Sequence, residues 1–427
     1  MNNAPRSAAS APAAPLGGWS GKKGWVWLAV IVALFFGSFA VYPRLFVILG
    51  LNHYGIWFLD TFAVLASNDA VTRGLNPYDP NPLDYFNRPH VYSHWWLHLR
   101  DLGLTRADVG WLSVTVIVSF LIVACWRLRA RTPGQLAWYA AILCSSPVLL
   151  GVDRCNNDLV IFMLLAPVVP SLLSERRWMR WVAPILITVA MLLKYYPAVA
   201  GLVVLAGTNR KEVRLRLLVT LLLLVAAGSN IANDLAQYGP IAPRPAGLMS
   251  FGASGVLAEF GRMGWAPKVF GAAFGGVIAL DSWYRRQLGS WEPPAAQQSS
   301  WLHFILGAAL LTACFFTAMN YWYRLIFAIW LAPLLWDLVH GLDAPAVVRW
   351  YAKHVTWLLL FLFWWPLVWM FILNQLAGVV SLKVLGGIAR VTFLIEQPFD
   401  WLFYFCLVVF LTQFARLRFA FLVGKPA

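Results

Sequence analysis

Charge is what this sequence has least of. Asp, Glu, Lys and Arg make up 12% of its 427 residues, against about 25% in an ordinary soluble domain. That excludes a water-filled fold with a solvated face on every element. The sequence also lacks a cysteine framework. Cys125, Cys144, Cys314 and Cys406 lie inside apolar runs and Cys155 at the end of one, with no spacing for disulfides or metal, so they read as small apolar residues. No soluble domain and no internal repeat is visible.

What is present is hydrophobicity, at 60% of residues, and aromatics: 24 Trp, 28 Phe and 14 Tyr. Trp and Tyr favour the membrane–water interface, where one side of the ring is wet. The formal net charge of +15 does not point to nucleic acid, because the basic residues sit between apolar runs and not on one polar face. They mark loops that stay on the cytoplasmic side, facing anionic lipid.

A membrane span needs about 20 mostly apolar residues. Runs that qualify, or nearly so, begin near Trp25, Val109, Gln135, Asp158, Leu217, Pro267, Trp301, Leu325, Val355 and Trp401. Residues 1–23 read as a disordered tail ending in Lys22-Lys23, and 421–427 as a second short cytoplasmic tail. The run 25–42 is too long for a signal-peptide core and reads as a retained first span. Between the tails, 24–420 reads as one all-α domain: a polytopic bundle of about eleven or twelve membrane helices in the cell (inner or plasma) membrane, with both termini cytoplasmic.

Charge parity singles out 181–207. The basic groups Lys22-Lys23, Arg127/Arg129/Arg131 and Arg176/Arg177/Arg180 alternate properly with helical hairpins. The next group, Arg210/Lys211/Arg214/Arg216, requires the same side as the third. The segment between them must then cross an even number of times, yet it is too short for two full spans at about 1.5 Å per residue. Two short half-helices meeting at Tyr196-Pro197 satisfy the count, with Pro197 as the breaker. Irregular backbone at that depth must be buried in protein or line a cavity, which makes Lys194 a cavity residue. One long tilted helix is the alternative. Further on, 378–393 reads as an amphipathic helix lying in the outer interface.

The polar residues that interrupt the apolar pattern fall on the outer side. The longest non-spanning segment, 51–108, reads as an outer loop of short interfacial helices, with 62–72 helix-compatible and Asn76-Pro77-Tyr78-Asp79-Pro80 a turn. Asp60 stands in it between Trp57-Phe58-Leu59 and Phe62. A carboxylate in so apolar a setting has either a task or a structural partner, as a cap or an ion pair. Asp69 and Asp79 fit polar turns. The string Asp153-Arg154-Cys155-Asn156-Asn157-Asp158 carries more polar groups than a tight turn needs. Asp158 also suits a helix cap, and Arg154 either contacts an anion or serves the turn. Asn320-Tyr321-Trp322-Tyr323-Arg324 precedes LIFAIWLAPLL, so Arg324 either snorkels or binds an anion. An Arg fork gives phosphate two parallel hydrogen bonds. His90, His94 and His98 would share a helix face and invite a metal reading, against the plainer one of aromatic His at a wet interface. One base and an anion clamp suit transfer of a group from a phosphate leaving group: the carboxylate takes a hydroxyl proton and the cations steady the departing phosphate.

The order of these features (a first span, Asp60, then Tyr78 in GLNPYDP, RCNNDLVIF, LLKYYP and NYWYRLIF) resembles the polyprenol-phosphate-sugar-dependent glycosyltransferases of the GT-C superfamily. Within it the sequence looks like glycosyltransferase family 87 and its uncharacterised relatives, of which the phosphatidylinositol-mannoside mannosyltransferases are the familiar members. The resemblance covers about residues 25–335. It implies a folded first extracytoplasmic loop with juxtamembrane helices. It also implies an inverting transfer, without metal or other cofactor, of a hexose such as mannose from a polyprenyl-phosphate donor to a lipid or glycan hydroxyl outside the cytoplasm. Asp60 takes the family's general-base position. Arg154, Lys194 and Arg324 match recurring positions, and a donor-phosphate role for them is inferred from their charge. Tyr78, Asn156, Asn157, Asp158, Tyr195, Tyr196, Asn320 and Tyr323 complete the expected pocket. Two departures stand out. Thr61 follows Asp60 where many GT-C enzymes carry a second acid, and RCNND replaces the Gly-Gln-Asn type common in the mannosyltransferases. A transporter or flippase of a lipid-linked saccharide also accommodates a helix broken at Lys194, although such proteins usually carry internal repeats.

Overall fold

The computed structural model describes residues 21–51, 53, 55–242, 250–261, 276, 291–317 and 320–424. Residues 1–20, the run beginning at Pro267, Arg285-Arg286 and residues 425–427 lie outside the described residues. In chain order come α1 (Gly21–Val41), α2 (Arg44–Ile48) and α3 (Leu59–Thr72), then two 3₁₀ segments, His94–Leu102 and Arg106–Asp108. There follow α4 (Val109–Arg127), α5 (Pro133–Leu143), α6 (Ser146–Arg154), α7 (Asp158–Leu165), α8 (Val168–Leu172) and α9 (Val182–Leu193). A 3₁₀ segment, Tyr196–Leu205, leads to α10 (Arg210–Tyr238), β1 (Ser250–Phe251), α11 (Gly255–Glu259), α12 (Gln298–Thr317) and β2 (Asn320–Tyr321). Last come the 3₁₀ segment Trp322–Trp330, α13 (Ala332–His340), α14 (Ala346–Leu376) and α15 (Leu382–Val423).

Six of these, α1, α4, α10, α12, α14 and α15, are long and apolar enough to cross a membrane. Two bent pairs, α5–α6 at 49° and Trp322–Trp330 with α13 at 54°, bring the number among the described residues to as many as eight if each pair is one span. The protein is a multi-pass membrane helix bundle. The expected eleven or twelve membrane helices exceed this. That expectation counted α7–α8 and both halves of 181–207, which are short, and the run at Pro267. Each break has a local cause: Pro147 and Pro333 stand in the first turn of α6 and α13, and Pro197 in that of the 3₁₀ segment, where a missing N–H costs nothing but continuation backwards clashes.

The segment 181–207 is not one long helix. Its chain is extended at Lys194 (φ −152°, ψ 139°), and its two halves pack against each other. Its ends lie together, because Arg180 grips Glu212 with two hydrogen bonds of 2.5 and 2.8 Å. The chain therefore leaves and returns to one end of the bundle, as the charge parity requires. At the tip of this hairpin the indole N–H of Trp96 donates to the carbonyl of Leu193 at 3.1 Å, satisfying one of the acceptors a helix end leaves open.

The interface helix expected over 378–393 is corrected. Leu382–Val423 is one continuous helix of 42 residues that includes the run starting at Trp401 and runs through Pro398. At about 1.5 Å per residue it is about 63 Å long, roughly twice a bilayer's hydrocarbon thickness.

The core centres on α12, which is buried over most of its surface. Phe162 stacks on Trp330 at 4.4 Å and meets Phe120 edge-on at 5.1 Å, tying α7, α4 and the 322–330 segment together. In lipid no water drives this association, so close packing and its dispersion contacts hold it. Gly307 on α12 permits one such approach: a Cβ there would lie 2.7 Å from the Phe327 carbonyl oxygen. All five cysteines are free and buried.

Candidate functional site

The loop 51–108 folds over the end of the bundle opposite the Arg180–Glu212 pair. Two ties hold it down, and a third bond braces it internally. Nδ1 of His53 lies 2.7 Å from Oδ1 of Asp153. Asp234, near the end of α10, accepts from Ser93 Oγ at 2.8 Å and pairs with His94 Nδ1 at 2.8 Å. Arg106 donates to Asp69 at 2.7 Å, which gives Asp69 its structural partner. The helix expected over 62–72 begins earlier, at Leu59, and places Asp60 in its first turn, where the helix dipole favours a negative charge.

Asp60 is 3% exposed and lines a cavity of about 360 Å³. Its Oδ2 accepts a 2.6 Å hydrogen bond from Nδ2 of Asn156. Its Oδ1 lies 4.0 Å from Nη1 of Arg88 and 4.0 Å from Nη1 of Arg154. Those distances are too long for direct hydrogen bonds but within the range of charge–charge attraction. Asp60 thus has ion-pair partners and also lines a cavity.

The backbone that delivers these groups is strained. Phe58 (φ 63°) and Cys155 (φ 43°) are both left-handed without being glycine, a conformation that costs about 1–3 kcal/mol and persists where the surroundings enforce it. Two hydrogen bonds lock the strands of chain together: Phe58 N–H to Asp153 O at 2.8 Å, and Thr61 Oγ1 to Cys155 O at 2.9 Å. Thr61, the residue after Asp60, is thus a structural clasp.

Behind the cavity wall lies a buried network. Oδ1 of Asn156 accepts from Lys194 Nζ at 3.3 Å and from the Asp158 N–H at 2.9 Å. Lys194 also donates to Oδ1 of Asp158, which accepts from the Tyr196 hydroxyl at 2.5 Å. Arg324 approaches the other Asp158 oxygen at 3.6 Å, donates to Asn320 and sits 5.2 Å over the Tyr196 ring. The pairing of β1 with β2 sets the position of Asn320, opposite Phe251.

The structure thus brings Asp60, Arg154, Arg324, Asn320 and Tyr323 to one cavity. It puts Asn156, Asp158, Lys194 and Tyr196 directly behind it. Lys194 is corrected from a cavity residue to a buried partner of Asp158. A bare ammonium in that setting is far costlier than a paired one. Asn157 is buried and lines no part of the cavity. Two further expectations fail. Tyr78 is half-buried against His90, ring centres 6.0 Å apart. Tyr195 is half-buried and packs beside Met191 and Ile231.

Sequence reasoning missed Arg88. It donates to both oxygens of Asp84, Nη2 to Oδ1 at 2.7 Å and Nε to Oδ2 at 2.9 Å, and to the Leu59 carbonyl at 3.0 Å. That fixes it beside Asp60. Burial raises the Asp84 carboxyl, but the Arg88 hydrogen bonds and charge, with the N–H groups of Phe86 and Arg88, outweigh it and hold the group below its ordinary value. The signal was present: Asp84 and Arg88 are i, i+4 in the loop that carries Asp60.

The three histidines do not converge. His90 precedes the 3₁₀ segment and bonds the Ser93 carbonyl, His94 pairs with Asp234, and His98 with Asp101. Among the described residues no three His, Cys, Asp or Glu form a metal cluster. Compared with known proteins, the chain matches no family model, no curated protein and no solved structure.

Proposed function

We propose that this protein is a membrane glycosyltransferase that moves a hexose, such as mannose, from a polyprenyl-phosphate donor to a lipid or glycan hydroxyl on the extracytoplasmic face. The observation that carries this reading is the setting of Asp60. A buried carboxylate is held at one oxygen by Asn156, while the other faces a cavity with Arg88 and Arg154 alongside. Oδ1 is the proton acceptor. As Oδ1 takes the proton of the acceptor hydroxyl, the hydroxyl oxygen forms the new bond to the anomeric carbon and the carbon–oxygen bond to the donor phosphate breaks. The electron pair leaves with the lipid phosphate, whose charge Arg154, Arg324 and Arg88 stabilise. The orders of the sequence motifs add the family resemblance. The Arg176–Arg180 and Arg210–Arg216 groups lie at the opposite end of the bundle, which by the positive-inside rule supports the extracytoplasmic reading of the cavity.

The test is purified protein in proteoliposomes supplied with labelled polyprenyl-phosphate hexoses and a cell-envelope lipid extract. The reading expects a glycosylated product whose formation stops in Asp60→Asn. The broken hairpin at Lys194 favours a second reading, a transporter or flippase of a lipid-linked saccharide. Movement of the labelled lipid across the bilayer with no covalent product would establish that instead.

A further inference from the structure

A second cavity, of about 660 Å³, lies between α1 and α4 and differs from the first in kind. Beside Val32 and Phe36, the α1 wall carries a row of small residues: Ala29, Ala33, Gly37 and Ala40. They stand at i, i+4, i+8 and i+11, and so share a helix face. The facing wall is apolar side chains of α4, among them Ile117, Leu121 and Cys125. Trp25 lines the cavity toward the start of α1, and Trp57 and Phe58 also line it. Trp25 and Ala40 are about 22 Å apart along the helix, so the space is a long cleft and not a round pocket. Both helices are candidate membrane spans. A cleft of this composition at that depth takes hydrocarbon, since a polar occupant would leave its groups unsatisfied.

The cleft ends where the polar cavity begins. Phe58 and Val152 line the cleft, while Leu59, Asp60 and Arg154 line the cavity. The hydrogen bond from Phe58 N–H to Asp153 O makes the partition between them. The left-handed turn at Phe58 is what lets adjacent residues serve opposite sides: an aromatic ring on the apolar side, a carboxylate two residues on at the polar side. The cavity is lined by three guanidinium groups, Arg88, Arg154 and Arg324, and one carboxylate, Asp60, while Asp84 and Asp158 pair with Arg88 and Arg324 from outside the lining. The charge there matches an anionic head.

We infer that the α1–α4 cleft holds the hydrocarbon chain of the phosphate-headed lipid whose head occupies the Asp60 cavity. The inference rests on the proposed transfer reaction for the identity of that lipid, a polyprenyl phosphate, and on the cleft itself for its place. The small residues of α1 are then specificity-determining. They leave room for a methyl-branched chain, which larger side chains would close off.

The test uses polyprenyl phosphate carrying a diazirine at the far end of its chain, in proteoliposomes of the full protein. The same label on a diacyl phosphatidic acid serves as comparison. Illumination is expected to label peptides covering 25–40 and 114–125. Excess unlabelled polyprenyl phosphate should suppress this labelling by about tenfold or more, and phosphatidic acid should not. Ala33→Phe and Gly37→Leu, each checked for an unchanged melting temperature, should reduce it likewise. Labelling elsewhere overturns the proposal, as does equal capture of both lipids without competition, which would make the cleft an ordinary bilayer-lipid contact. A second readout is the ratio of KM for a full-length donor to KM for a geranyl-phosphate sugar, which should rise about tenfold in Ala33→Phe. An unchanged ratio contradicts the proposal. Absence of transfer in every protein, wild type included, counts against the transferase reading alone, because the labelling still decides the cleft.

Discussion

Asn156 holds Oδ2 of Asp60 from 2.6 Å and offers its own carbonyl oxygen to Lys194 at 3.3 Å. One amide therefore orients the candidate base and couples it to the buried ion pair behind. Its amide can do both only because one end donates and the other accepts. Asn156→Leu removes both contacts and leaves Asp60 free to swing toward Arg88 or Arg154. A fall in kcat of about 10–100-fold is expected, with the donor KM little changed, since the loss is of orientation. Steady-state kinetics on the variant decide it; a change confined to KM would place Asn156 in donor binding instead.

The Lys194–Asp158 pair makes a separate prediction. Both residues are buried, at 8% and 0% exposure. Lys194→Met leaves Asp158 with Tyr196 and Arg324 only, and Asp158→Asn leaves Lys194 without its carboxylate. Each should cost about 3–5 kcal/mol, and the double variant less than the sum. Melting temperatures of the four proteins in one detergent measure the coupling. Additive losses would mean that the two residues do not act as a pair.

Acid should loosen the loop. Burial lowers the His90 imidazole from its ordinary 6.5 to about 4, against the opposing pull of the Ser93 carbonyl and the Asp234 charge. The unfolded loop takes up a proton below about pH 6.5, and the folded one resists until about pH 4. The contribution of a neutral His90 is complete above pH 6.5, declines as the pH falls from there and is lost by pH 4, amounting to at most about 3 kcal/mol. The melting temperature of the wild type should fall over that window more steeply than that of His90→Asn. Parallel curves would contradict the assignment.

Arg88 carries the fourth prediction. Arg88→Met removes a guanidinium 4.0 Å from Asp60 and leaves Asp84 without its bidentate partner. If Arg88 helps to hold the donor phosphate, KM for the donor rises about tenfold or more. Arg88→Lys rescues this only in part, because an ammonium cannot span both Asp84 oxygens and the Leu59 carbonyl. Full rescue by lysine would reduce Arg88 to a plain positive charge.

Several of these features were legible in the sequence. Net parity of Lys and Arg groups located the broken hairpin, because the membrane makes sidedness a one-bit rule and Arg180 and Glu212 enforce it in space. Asp60, Arg154 and Arg324 stood out because charge is rare in this chain. Other features were hidden for physical reasons. Pro147 and Pro333 each start a new helix inside an apolar run, and hydropathy alone reads such a run as one span. Lys194 looked like a cavity residue because its partner, Asp158, is distant in sequence and meets it only through the fold. Tyr78 sits in a loop whose path is set by His90 and Asp234, neither of which neighbours it in the chain. Pro398 would ordinarily end a helix, and so concealed that Leu382–Val423 is continuous.

The central claim is that Oδ1 of Asp60 takes the proton of an attacking hydroxyl. Asp60→Asn keeps the shape, and its amide can still face Asn156, but it cannot act as a base. The decisive measurement is the single-turnover transfer rate of this variant, with donor saturating and the melting temperature matched to wild type. The account predicts a rate lower by about 10²–10⁴-fold. A normally folded Asp60→Asn protein that transfers sugar at the wild-type rate would contradict it.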